Sequence, residues 1–345
     1  MRILTIEGLS DLLSTPKKIA IIPHQNPDGD ALGSCLGLQL LLSNAGHHAQ
    51  VIAPNPFPHF LAWLPKSEDI LIAEDQLESC KSAINQADLI ATLDFNHLSR
   101  CGVLEPLISE ATQPILMVDH HISPADYATY MFSDTSASST SEMIYHLANY
   151  IGLETHINAD IATCLYTGIL TDTGSFKYPN AGSETLRIAA NLVDSGADKT
   201  KINALISEQG SLSRLKLMGR CLDSLEFLEE YHTVYMCITE NDKIASNFQK
   251  GDSEGFVNFG LSLKGCCFSV IFIENSEDQS IKLSLRSTGD FDVNQFARDH
   301  FNGGGHKNAA GGKINTSIEQ AVALLTSLLP HYKESLKTNA TIYEN

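Results

Sequence analysis

A chain of 345 residues with 43% hydrophobic and 19% charged residues has the composition of a folded globular protein and enough length for two domains. Its 23 Lys and Arg against 41 Asp and Glu leave a net charge of -18, which excludes the broad basic footprint of a protein that grips long duplexes. No apolar run reaches the roughly 18 residues that a membrane span needs, so no membrane partner is expected.

The opening stretch, MRILTIEGLSDLLSTPKK, lacks an apolar segment after a basic start and a small-residue cleavage site, so no signal peptide is expected. The eight cysteines (35, 80, 101, 164, 221, 237, 266 and 267) show no C-x-x-C spacing. Most lie in apolar stretches, which suits a reducing compartment, argues against a zinc knuckle and makes the cytoplasm the expected location.

In chain order, a short helix is expected near residues 6–15, followed by KKIAIIPH (17–24), an apolar run closed by a turn that reads as a buried strand. ALGSCLGLQLLLSNAG (31–46) has helical periodicity and a closing Gly46. HAQVIAP (48–54), ADLIATLD (87–94) and PILMVDHH (114–121) are further β-rich runs, with helices expected at about 138–151, 158–171 and 183–196. The alternation predicts an α/β domain with a mainly parallel sheet sandwiched by helices.

The texture changes at residues 211–232, read as one long amphipathic helix acting as a strut. Strands then come in succession at TVYMCIT (233–239), CCFSVIFIEN (266–275) and QSIKLSLRST (279–288). The expected division is a first domain over 1–195, a helical linker over 196–230 and a smaller α+β domain over 231–345, ending in a polar, frayed tail at 337–345.

Chemistry concentrates where strands end. HQNPDGDALGS (24–34) carries His24, Asp28 and Asp30 on a turn at the carboxyl end of a strand, where ligands of open α/β sheets bind. Taken alone, this turn is as well explained by Asp residues capping a helix. Recurrence decides the matter: Asp94 ends ATLDF, Asp119, His120 and His121 end LMVDHH, and Asp172 interrupts the apolar run GILTDTGSF (168–176). Burying so many acids and imidazoles by accident at four places is costly, so the expectation is a metal site.

Carboxylates with imidazoles and no thiolate suit Mn²⁺, Zn²⁺ or Fe²⁺ better than Ca²⁺, with Mn²⁺ the first choice. Four carboxylates balance two divalent cations, and gathering them without cations would be strongly repulsive. Ions about 3.5–4 Å apart acidify a bridging water and stabilise the attacking and leaving oxygens of an in-line displacement, which makes phosphate esters the natural substrates.

The pattern H-x-x-P-D-G-D-A-x-G-S, the strand-end Asp94, the D-H-H triplet and T-D-T-G-S-F resemble the DHH phosphoesterase superfamily. GGGHKNAAGG (303–312) resembles the glycine-rich motif of the DHHA1 domain that follows in one branch of that family. Together the resemblances span nearly the whole chain. The overall pattern is similar to the nanoRNase type, an oligoribonuclease and phosphoadenosine-phosphate phosphatase whose relatives also carry the label exopolyphosphatase-related.

The resemblance implies roles residue by residue. His24 and Asp28 would bind one metal ion, and Asp30, His120 and Asp172 the other, with Asp94 bridging both. His121 would lie beside the scissile phosphate as an electrophilic contact or proton donor, and Asp119 would orient the histidine pair. Arg100 is a candidate phosphate contact, with a surface ion pair as the plain alternative for a lone arginine. In the smaller domain, Gly304, Gly305 and His306 offer backbone amides and an imidazole to a phosphate or nucleotide end, and Arg286 a bidentate clasp. The alternative for the glycine run is a flexible loop.

The expected activity is thus divalent-metal-dependent hydrolysis of short oligoribonucleotides or 3′,5′-bisphosphate nucleotides, the first domain activating water and the second holding the substrate's far end. A cyclic-dinucleotide phosphodiesterase or a pyrophosphatase on the same centre is the neighbouring alternative. A catalytically silent nucleotide-binding module is the alternative of another class. A homodimer is one assembly open to the chain.

Overall fold

A computed structural model describes residues 2–207, 211–249, 251–276 and 278–340. They fall into two compact units, Met1–Gln209 and Gly210–Asn345. Among the described residues no helix is long and apolar enough to cross a membrane.

The first unit carries the strands β1 (Arg2–Thr5), β2 (Lys18–Pro23), β3 (His48–Ala53), β4 (Leu71–Ile72), β5 (Leu89–Leu93), β6 (Ile115–Asp119) and β7 (Tyr130–Asp134). Its helices are α1 (Leu9–Leu12), α2 (Gly29–Asn44), α3 (Ala73–Asn85), α4 (Glu105–Ser109), α5 (Thr140–Tyr150), α6 (Ala159–Asp172), α7 (Ser183–Asp194) and α8 (Lys199–Ser207). All five residues of β5 and of β6 are buried. Strands covered on both faces read as unbroken apolar runs, which is why these were visible in the sequence.

The strand order is β1-β7-β6-β5-β2-β3-β4, with every neighbouring pair parallel except the antiparallel edge pair β1 and β7. The chain winds from β2 outward through β3 and β4, then returns to the other side of β2 and winds outward through β5, β6 and β7. The winding direction therefore reverses between β2 and β5, and a crevice opens at such a switch point outside the carboxyl ends of the strands.

Alternate residues of β2 serve two cores. Ile19 and Ile21 pack with α2, α5 and α6, whereas Ala20 and Ile22 join Cys80 and Ile84 of α3 and Ile108 of α4. Helix α2 lies very close to α6. A Cβ at Gly33 would sit 2.5 Å from the Cys164 carbonyl oxygen, and one at Gly37 2.5 Å from Leu165 Cδ2. The glycines let the two helix backbones meet, and both helices end at the crevice.

The second unit contains α9 (Leu212–Asp223), β8 (Glu226–Leu228), β9 (Thr233–Ile238), α10 (Glu240–Ser246), α11 (Val257–Gly260), β10 (Phe268–Asn275), β11 (Ser280–Ser287), α12 (Val293–His300), β12 (Gly304–His306), β13 (Ala309–Ile314) and α13 (Ile318–Ala340). Its sheet runs β12-β13-β11-β10-β9-β8. Phe268, Phe272, Leu283 and Leu285 face Phe296, Leu325 and Leu329 of α12 and α13. Val234, Met236 and Ile271 on the other face meet Leu217, Cys221 and Phe256.

The two units match the expected fold class, a mainly parallel α/β unit and a smaller α+β one, but several local expectations need correction. The helix expected over 211–232 stops at Asp223. There the Ser224 hydroxyl donates to the Cys237 carbonyl oxygen at 2.9 Å and accepts from the Cys237 amide at 2.9 Å, and residues Glu226–Leu228 pair antiparallel with β9. The stretch expected to link the domains divides, α8 falling in the first unit and α9 in the second. The tail expected to fray from residue 337 is helical through Ala340, and residues 341–345 lie outside the described residues.

Candidate metal centre

Three adjacent strands deliver their carboxyl ends to the crevice. His24 follows β2, Asp94 follows β5, and Asp119, His120 and His121 close β6. Asp94 adopts a left-handed backbone with φ 66, a conformation that costs a non-glycine residue about 1–3 kcal/mol and is retained mainly at functional sites. Its amide is held by the Val118 carbonyl at 3.0 Å. The kinked strand end turns the Asp94 carboxylate into the middle of the cluster.

Two helix ends supply the remaining acids. Asp28 is the N-cap of α2, its Oδ1 accepting from the amides of Asp30 and Ala31 at 3.0 and 3.1 Å, while its Oδ2 lies 3.9 Å from His24 Nε2. One oxygen of this side chain thus caps the helix while the other faces His24. Asp30 sits in the first turn of α2, 1% exposed, and Asp172 is the last residue of α6. The close packing of α2 on α6 brings these two carboxylates to the same spot.

Asp94 is the hub. Its Oδ2 lies 3.5 Å from His24 Nε2, and its Oδ1 lies 3.6 Å from His120 Nε2 and 3.7 Å from His121 Nδ1. His120 Nε2 is also 3.5 Å from Asp172 Oδ2. Three donor sets, His24 with Asp28 and Asp94, Asp30 with His120 and Asp172, and Asp94 with His120 and His121, each have ligand atoms within 4.8 Å of one another. Metal–ligand bonds of roughly 2.0–2.3 Å place donors on one ion about 3–4 Å apart, so the spacing and the N/O donor types fit divalent cations.

The histidines are aimed by their other ring nitrogen. Nδ1 of His24 lies 2.8 Å from the Gln25 carbonyl oxygen, and Nδ1 of His120 lies 3.4 Å from that of Ala137. Each carbonyl accepts an Nδ1 proton, leaving an unprotonated Nε2 that could ligate a cation. His121 is turned differently, its Nδ1 lying 2.6 Å from Oδ1 of the fully buried Asp119.

The electrostatics show charge waiting for compensation. Burial, with the negative charges of Asp94 and Asp172, drives Asp30 well above the usual carboxylate range. Burial likewise pushes Asp172 up to about 7, Asp94 and Asp28 adding repulsion while His120 opposes. Asp94 goes the other way: burial is overcome by His24 and by the charges of His121 and His120, which hold its carboxyl well below the usual range. Burial alone would lower His24 and His120, yet their carboxylate neighbours raise both to about 9. Divalent cations at this cluster would take the place of those protons.

Residues 18–169 match the DHH family, N-terminal domain, and residues 230–330 the DHHA1 domain. The bifunctional oligoribonuclease and PAP phosphatase NrnA of Thermus thermophilus is 32% identical over 88% of this chain and 86% of that protein. The chain belongs to the DHH family. It is accordingly a hydrolase of phosphate esters. The protein of the same description from Bacillus subtilis is 28% identical over 90% of this chain and 93% of its own length. A crystal structure of an exopolyphosphatase-related protein from Bacteroides fragilis superposes with a TM-score of 0.93 at 39% identity, covering 96% of this chain and 97% of that one.

The other sequence-derived site residues are placed less uniformly. In the DHH domain Arg100 lies in a 3₁₀ helix after β5, and its carbonyl accepts the Gln25 amide at 2.7 Å, beside His24. In the DHHA1 domain Arg286 pairs across the sheet with Ala309, and Ala309 with His306. Arg286 and His306 therefore project from one face of that sheet, two strand spacings or about 10 Å apart.

The glycine run is not a loop. Gly304–His306 form the edge strand β12, and the Gly305 amide donates to Asn294 Oδ1 at 2.9 Å. A Cβ at Gly303 would lie 1.9 Å from the Gly311 carbonyl oxygen, so close strand approach explains that glycine directly. The expectation of amides open to a ligand is thus corrected at Gly305.

The start of α5 lies within the expected helix, but its hydroxyl run has a role at the centre that no local pattern shows. In the stretch SASSTSE (136–142), Ser138, Ser139, Thr140 and Ser141 are all fully buried, and Thr140 and Ser141 bond acids of the centre. The run itself, too short and polar to serve a core, signals a role at the helix start without saying which.

Proposed function

We propose that the chain is a Mn²⁺-dependent hydrolase of short oligoribonucleotides and 3′,5′-bisphosphate nucleotides. The observation that carries this reading is the convergence of His24, Asp28, Asp30, His120 and Asp172 around the single carboxylate Asp94. The names of the two NrnA relatives support the substrate class. Eight free cysteines and the net charge of -18 suit a cytoplasmic enzyme acting on short substrates rather than long strands.

His24, Asp28 and Asp94 would hold one cation, and Asp30, His120 and Asp172, with Asp94 shared, a second. Bound divalent cations supply Lewis acidity and a nucleophile usable at neutral pH. The chain's own residues do the rest. Asp119 accepts the Nδ1 proton of His121; in its imidazolium form the ring carries an Nε2 proton as well and would donate it to a phosphate oxygen. Arg100 is assigned to the DHH domain's phosphate contact, and Arg286 and His306, on one face of the DHHA1 sheet, to the substrate's far end.

The test compares turnover, with Mn²⁺ supplied, of a linear diribonucleotide, phosphoadenosine phosphate, a cyclic dinucleotide and pyrophosphate, alongside Asp94→Ala. Release of mononucleotides from the first two that vanishes in the variant is the expected result. Preferential turnover of the cyclic dinucleotide or of pyrophosphate overturns the substrate reading. Binding of nucleotide without any hydrolysis marks a silent module instead.

A further inference from the structure

We infer that Thr140 is a positioning residue that fixes the distance between the carboxylates of Asp30 and Asp94. Its backbone amide donates to Asp30 Oδ2 at 2.7 Å, and its hydroxyl donates to Asp94 Oδ1 at 3.0 Å. The neighbouring Ser141 amide donates to Asp30 Oδ1 at 2.9 Å. One fully buried residue thus grips two acids that arrive from different elements, the first turn of α2 and the end of β5.

The arrangement answers a physical problem of the site. Asp30 is buried beside two other carboxylates, so its ionised form is penalised and its position is unstable against repulsion. Thr140 and Ser141 are the first two residues of α5, whose amides have no intrahelical partner and sit at the positive end of the helix dipole. Both oxygens of Asp30 are satisfied there. The Thr140 hydroxyl extends the same grip to Asp94, the residue shared between donor sets.

The helix start is itself braced from behind. The buried Glu142 accepts hydrogen bonds from the hydroxyls of Ser138 at 2.6 Å and Thr185 at 2.8 Å. The Ala137 carbonyl, one residue earlier, faces His120 Nδ1. Segment 137–141 therefore touches three of the six donors, and Thr140 is the member whose side chain and backbone serve two of them at once.

The inference rests on the two-cation reading above and is tested by Mn²⁺ titration calorimetry, with thermal unfolding of the chelator-treated protein in parallel. Thr140→Val keeps the shape of the side chain and removes the donor. The variant is expected to bind Mn²⁺ about 10–100-fold more weakly, the usual loss when a group holding a metal ligand is removed. Thr140→Ser, which keeps the hydroxyl, is expected to stay within a few-fold of wild type, and Thr140→Ala, which leaves room rather than strain, to show the same loss of about 10–100-fold and to replace the valine variant if that one does not fold. Wild-type affinity in the valine or alanine variant overturns the inference, as does a serine variant as weak as they are. A wild-type protein that binds no Mn²⁺ overturns the metal reading instead, so the two failures are distinguishable.

Discussion

Asp119 receives two hydrogen bonds from His121, one from the ring Nδ1 at 2.6 Å and one from the backbone amide at 3.2 Å. A fully buried acceptor that clamps both ends of the same residue fixes the ring's tautomer and its plane. Asp119→Asn keeps the volume and exchanges one acceptor oxygen for an amide donor. The expected outcome is a kcat lower by roughly 10²–10⁴-fold, the range for losing a positioned proton donor, with Mn²⁺ affinity changed far less. Steady-state kinetics with a diribonucleotide and Mn²⁺ titration of the same preparation check both halves.

Protonation of the centre sets a second prediction. Asp172 near 7 and His24 and His120 near 9 all titrate above their ordinary values in the absence of cations. A group whose pKa is raised by folding contributes stability that is complete below its unfolded value and lost as pH rises through its folded value. The chelator-treated protein should therefore lose stability from about pH 4 to 7 through Asp172 and from about 6.5 to 9 through the histidines. Asp94 has the opposite sign, contributing stability above the ordinary carboxylate pKa that is lost only as pH falls through its depressed value. Because Mn²⁺ competes with protons at the raised groups, its affinity should rise between pH 6 and 9, and the Tm gap between loaded and chelated protein should widen over the same range. A gap that narrows with rising pH contradicts the assignment.

The glycine contacts between α2 and α6 predict selective damage. Gly33→Ala would press a methyl against the Cys164 carbonyl oxygen, 2.5 Å from the ideal Cβ, and Gly168→Ala would place one 2.7 Å from Asp30 Oδ1. Each should cost about 1–3 kcal/mol, and Gly168→Ala should also weaken Mn²⁺ binding because it displaces a donor. Gly219 in α9 has nothing within 4 Å of an added Cβ. Gly219→Ala should stabilise the second unit by about 0.5–1 kcal/mol. Denaturant titrations of the three variants decide the contrast.

On the DHHA1 sheet, Arg286→Ala is expected to raise KM for a diribonucleotide about 10–100-fold, the worth of one hydrogen bond to a charged group, while kcat changes little. Arg286→Lys should recover only part of the loss if the contact is bidentate. An unchanged KM in the alanine variant removes Arg286 from the substrate site.

The parts of this molecule that the sequence disclosed share a physical cause. β2, β5 and β6 are buried on both faces, so each is a continuous apolar run, and a His or Asp closing such a run stands out. Asp172 was visible for the same reason inside the apolar α6. β1 and β7 were not: β1 has four residues at the sheet edge, where burial is incomplete, and β7, though as long as β5, is apolar only over its first three residues and ends in Ser133 and Asp134. The edge strand Gly304–His306 is hidden by its composition: glycine has poor strand propensity, and its presence at 305 follows from close strand approach, an added Cβ there lying 2.4 Å from the Ala309 carbonyl oxygen. The grip of Thr140 on Asp30 and Asp94 spans separations of 110 and 46 residues, and no local pattern carries contacts of that range.

The six donors begin at His24 and finish at Asp172, the last residue of α6. A ribosome must therefore complete nearly the whole DHH domain before the full set exists, whereas the earlier strands can start to pair beforehand. Any cation captured at the finished site ties the first parallel strand to the end of the sixth helix. It acts as a long-range cross-link whose stabilisation follows mass action, growing with free ion concentration relative to its dissociation constant. On the proposed assignment of donors, a chain still incomplete at α6 would lack Asp172 and with it the full centre, so catalytic competence would be timed by the protein's own synthesis.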